Sequence, residues 1–103
     1  MRVVLLNKNI YDIKCLQKIS KRKEQLIMNV ELGISTFGET TPLEKTGKTI
    51  SHDERIRNLI EEVELADQVG IDAYAIGEHH RKDFAVSAPE IIIAMAAAKT
   101  KQI

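Results

Sequence analysis

The chain has 103 residues, 15 Lys+Arg against 15 Asp+Glu, 44% apolar residues, 4% aromatic, one cysteine and no tryptophan. That length allows one small domain with a modest core. The longest unbroken apolar run, Ile91–Ala98, is far short of the roughly 20 residues of a membrane-spanning helix. Cys15 stands alone, which excludes a disulfide framework and a multi-thiolate metal site and suits a reducing, cytoplasmic setting.

The balanced charge conceals a division. Residues 1–27 carry seven basic and two acidic side chains, and the remainder carries eight basic and thirteen acidic ones. Such a break marks a junction between segments, and Met28 stands on it. In the basic leader Ile10, Ile13, Leu16, Ile19 and Leu26 fall near a helical period. A membrane-surface or nucleic-acid helix is one reading of this pattern. Against it, the leader has no Trp or Phe, and its apolar stripe lapses across Ser20–Gln25. Val3–Leu6 is too short for the apolar region of a signal peptide. The leader is therefore expected to be helical or disordered and to take no part in the chemistry, with neither membrane nor nucleic acid as partner.

From residue 28 onward the pattern changes. Asn29–Phe37 alternates Val30, Leu32 and Ile34 with Glu31, Gly33, Ser35 and Phe37, the two-residue period of a strand. After a polar loop, Ser51 and Glu54 have the spacing of a capping box. Ile56, Leu59, Ile60, Val63, Ala66 and Val69 then make one apolar helical stripe, and Gly70 sits where a left-handed cap belongs. Ile71–Gly77 reads as a second strand, apolar on both faces as parallel strands are. Ser87 and Glu90 repeat the capping-box spacing, with Pro89 inside the first turn, before an alanine-rich helix over Ile91–Lys101. The order strand, helix, strand, helix defines a parallel α/β unit. Two such strands are not a self-sufficient core. A further strand is expected near Ile103, as in the opening quarter of a larger barrel or open sheet. Taken alone, residues 1–103 are expected to be unstable or self-associating.

Two clusters invite a chemical reading. Thr46-Gly47-Lys48-Thr49 suggests a phosphate loop but fails on spacing, because the first glycine of that motif would fall at Pro42. Glu78-His79-His80 is more informative, since it lies at the C-terminal end of the second strand, where parallel barrels gather their active sites. Imidazole titrates near neutrality, so either histidine could serve as a general base or anion stabiliser. A surface histidine pair and a metal site remain open at this point, although adjacent residues in an extended chain point to opposite sides. Parity places His79 on the face of Gly77, Ala75 and Ala73, toward a barrel interior. Gly33, Ser35 and Phe37 form the matching inward set on the first strand.

Three stretches, Glu31–Pro42, Glu64–His80 and Phe84–Ile103, give the chain a resemblance to the bacterial-luciferase-like, flavin-dependent monooxygenases. The Gly-Glu-His-His strand end followed by a Ser-Ala-Pro helix start carries most of its specificity. The resemblance implies a (β/α)8 barrel of about 250 residues, of which residues 28–103 would be the N-terminal β-α-β-α portion. It implies reduced FMN, or in some members a deazaflavin, at the C-terminal mouth. O₂ and a small organic substrate react there, with NAD(P)H as the ultimate reductant, in some cases through a separate flavin reductase. It also implies His79 as the catalytic histidine, Phe37, Gly77 and Glu78 on the cofactor side, and a homo-oligomer. The leader has no counterpart in the family, and the flavin-phosphate grip is expected beyond the third strand, so turnover by these residues alone is not expected. A non-catalytic interaction module docking through Ile91–Ala98, and a metal-assisted hydrolase barrel using His79 and His80, are the competing functions.

Overall fold

A computed structural model describes residues 31–42 and 47–103, together with residues 17, 18 and 21. The element order is β1 (Gly33–Thr36), α1 (His52–Gln68), β2 (Ala73–Ile76) and α2 (Pro89–Ala97). The two strands pair in parallel, with Gly33 opposite Ala73 and Thr36 opposite Ile76. The expected leader over 1–27 and the first residues of the expected strand lie outside the described residues, apart from residues 17, 18 and 21, which are helical.

The start and stop of α1 follow from its sequence. The Ser51 hydroxyl accepts the Glu54 N–H at 3.3 Å, satisfying one of the orphan donors of a helix start. At the other end Gly70 adopts φ +77°. The Ile71 N–H reaches back to the Ala66 carbonyl at 3.0 Å, and the Gly70 N–H to that of Asp67 at 3.2 Å. This paired arrangement is the Schellman cap, which glycine enters without a Cβ penalty. Between the ends, Leu59, Ile60, Val63 and Ala66 are buried as one stripe.

The second capping box does not form. The residue ahead of the α2 helix is Ala88, at φ −141°, and no side chain caps the helix start. A residue before proline is held in extended backbone, so Pro89 fixes the helix boundary one residue past Ser87, out of register for that box. Pro89 also has no N–H to leave unsatisfied in the first turn. The helix ends at Ala97, ahead of the expected Lys101. Beyond it the Asp67 carboxylate accepts the N–H groups of Lys101, Gln102 and Ile103 at 3.0, 2.8 and 2.9 Å. Those contacts draw the chain off the helical path. The Gln102 N–H first, with those of Ile103 and Lys101, holds the Asp67 carboxyl below the usual carboxylate range.

Packing separates the two faces of the sheet. On one face Ile34 joins Ala66 and Ile71 in a buried cluster, and Tyr74 and Ile76 lie against Leu59, Ile60, Val63, Val86, Ile92 and Ala96. On the other face Gly33 and Ser35 are half-buried, and Ala73 and Ala75 are exposed. The parity expected for the small residues is therefore correct, while among the described residues the cover expected on both faces is packed on one and only partial on the other. Helix α2 buries Ile92 and Ala96 but leaves Ile91, Ile93 and Met95 at 60%, 49% and 46% exposure.

Candidate active site at the strand ends

Both strands deliver their C-terminal residues to one edge of the sheet, and the small-residue face ends there in aromatic rings. Phe37 follows β1, and its ring lies 5.9 Å from the His79 ring, tilted by 59°. Phe84 approaches His79 more closely, at 4.2 Å between centroids. The Arg81 guanidinium lies 5.5 Å from the centre of the Phe84 ring, within cation–π range. Phe37 remains 46% exposed, so this cluster is open to a ligand from one side.

The position of Phe37 depends on Gly77. A Cβ at Gly77 would clash with Cδ1 and Cε1 of the Phe37 ring, so glycine there lets the ring lie against the backbone at the end of β2. Gly38 has a related role in the following turn. Its φ is +69°, and a Cβ would meet Val86 Cγ2 at 2.6 Å. Only glycine meets both demands without strain.

Backbone bonds tie the two strand-end loops together. The Ala85 N–H donates to the Gly38 carbonyl at 2.8 Å, the Thr40 N–H to that of Asp83 at 2.9 Å, and the His79 N–H to that of Val86 at 3.1 Å. Glu39 and Phe84 form an isolated antiparallel bridge. From α1, His52 Nε2–H donates to the Lys82 carbonyl at 2.8 Å. The loop carrying His79 is thus held along its length by β1's loop and by the start of α1.

Of the residues singled out from sequence, Phe37, Gly77 and His79 come together. Glu78 does not join them, since its carboxylate pairs with His80 Nε2 on the exposed side. With His80 engaged there and His79 between two phenylalanines, the histidines do not converge on one ion. Among the described residues no group of three or more His, Cys, Asp or Glu converges as a metal site. None of their helices is long and apolar enough to cross a membrane.

Sequence reasoning missed Phe84 and a buried polar network behind the site. Arg55 and Glu62 are charged yet buried, and their side chains meet at 2.9 Å. The Tyr74 hydroxyl donates to the same carboxylate at 2.8 Å. Burial, reinforced by the Glu62 charge, pushes the Tyr74 phenol far above its ordinary range. The available signal was spacing, because residues 55 and 62 are two helical turns apart and share the face of the apolar stripe. Phe84 is one of only two phenylalanines in the chain, and both lie beside His79.

A parallel α/β unit with a histidine and aromatics at its C-terminal strand ends is the arrangement in which barrel enzymes place their chemistry. The model of the luciferase-like monooxygenases matches residues 30–103, and the chain belongs to that family. None of the curated proteins matches the chain.

Proposed function

We propose that residues 28–103 form the opening β-α-β-α segment of a (β/α)8 barrel, with 1–27 as a leader outside it, and that the barrel oxygenates a small organic substrate using reduced flavin and O₂. One observation carries the reading. Among the described residues the small-residue face of the strands is half-buried on β1 and exposed on β2, and it ends at the Phe37–His79–Phe84 cluster. Ala73 and Ala75 present no bulk, so a planar ring can approach the strand backbone, and the residues present fit the ring end of a flavin. When bound, reduced FMN or a deazaflavin supplies the electrons for oxygen activation, with NAD(P)H as the ultimate source, directly or through a reductase.

The chain's own residues then have distinct tasks. His79 holds or accepts a proton at an imidazole nitrogen facing the reacting region. Phe37 and Phe84 flank that ring and hold its orientation. Gly77 lets Phe37 lie close to the β2 backbone. Glu78, paired with His80 on the exposed side, takes no part in this arrangement.

The test is His79→Ala in a complete barrel of the family carrying this segment. Loss of a positioned acid or base costs roughly 10²- to 10⁴-fold in rate, whereas flavin affinity is expected to change little. Equal loss of oxygenation and flavin binding would count against the catalytic role.

A further inference from the structure

We infer that Arg55, buried on α1, is a positioning residue that sets the geometry of the aromatic site through the β1 turn. The inference rests on the site reading above.

The Arg55 guanidinium is used in three directions. Its Nη1 and Nη2 donate to the two Glu62 carboxylate oxygens at 2.9 and 3.4 Å. Its Nε donates to the Glu39 carbonyl at 3.1 Å. Nη2 also reaches the Thr36 hydroxyl at 3.4 Å. That hydroxyl in turn donates to the Glu39 carboxylate at 3.1 Å and accepts the Gly38 N–H at 3.0 Å. One planar fork therefore holds Thr36, before Phe37, and Glu39, two residues after it, while the Thr36 hydroxyl holds Gly38, a task that needs the rigid spread of guanidinium donors.

The consequence reaches His79 by short steps. The turn held by Arg55 supplies the Gly38 carbonyl that accepts the Ala85 N–H, and the Thr40 N–H that donates to Asp83. Residues 83–86 contain Phe84, which lies on the His79 ring, and Val86, whose carbonyl accepts the His79 N–H. Both phenylalanines beside the imidazole thus take their place from the same turn. A buried ion pair is often matched or exceeded in stability by apolar residues of similar size. The directional bonds to Glu39 and Thr36 are what an apolar replacement cannot supply.

The experiment follows the ring Cε1–H resonance of His79 by NMR in the isotope-labelled chain, with His52 and His80 as internal references. Phenylalanine ring currents are expected to displace this resonance from the position of a free imidazole, and Phe84→Leu is expected to remove most of the displacement. In the double variant Arg55→Met/Glu62→Leu, β1 and β2 amide shifts are expected to persist while the His79 displacement is largely lost. If the double variant does not fold, Arg55→Lys decides by the same criterion. Lysine keeps the charge for Glu62 but cannot also hold the Glu39 carbonyl and the Thr36 hydroxyl. A folded variant that keeps the full displacement would overturn the role of Arg55 and leave the site intact. A wild-type chain with no displacement would overturn the aromatic site and this inference with it.

Discussion

Gly38 and Gly77 show how much of the site depends on missing side chains. At Gly38 two costs combine, the left-handed backbone and the presence of Val86 Cγ2 only 2.6 Å from the place a Cβ would occupy. Gly38→Ala is expected to destabilise the fold by about 2–4 kcal/mol, measured by denaturant unfolding. At Gly77 the obstacle is the partly exposed Phe37 ring, which can swing outward. Gly77→Ala is therefore expected to cost less stability than Gly38→Ala in the same measurement, and the reverse order would refute the packing assigned to Phe37. Asp67 belongs to this scale as well. Its carboxyl is held low by three backbone donors, so its folded pKa lies below the ordinary value of 3.8. The stabilisation is present above that value and is lost as the pH falls through the lowered folded pKa. Asp67→Ala is expected to speed amide hydrogen exchange at Lys101, Gln102 and Ile103, and unchanged protection would show that the carboxylate does not hold them.

At the scale of elements, the sequence is most legible where one local signal decides the outcome. The Ser51 cap, the α1 stripe and the Gly70 terminus each rest on a few adjacent residues, and each is as expected. The α2 start departs from expectation because two local signals compete, and the restriction that Pro89 places on Ala88 outweighs the Ser87–Glu90 spacing. The α2 end departs for another reason. Asp67 lies more than thirty residues earlier in the chain, and no local pattern announces its contacts. Parity along β1 and β2 brings Phe37, Gly77 and His79 to one face correctly. It cannot reveal Phe84, which arrives from a loop, or the burial of Arg55 and Glu62, which depends on how α1 meets the sheet. The exposed Ile91, Ile93 and Met95 on α2 carry their own prediction. In sedimentation velocity the chain is expected to self-associate, and Ile91→Lys with Ile93→Lys is expected to reduce that association. An unchanged distribution of species would show that α2 is not the adhesive face.

For the whole molecule, the described residues divide the sheet into a packed face and a less covered face of small residues. The helices cover Ile34, Tyr74 and Ile76 from one side. The opposite side offers small residues leading to an imidazole between two phenylalanines. That asymmetry is compatible with the wall of a luciferase-like barrel, the reading proposed above. The most direct measurement is the chemical-shift footprint of reduced FMN on the labelled chain under anaerobic conditions. Perturbations are expected at Phe37, Gly77, His79 and Phe84, extending to Ala73 and Ala75 on the same face. A footprint confined to α2, or no perturbation with reduced FMN at millimolar concentration, would contradict a flavin-facing site at these strand ends.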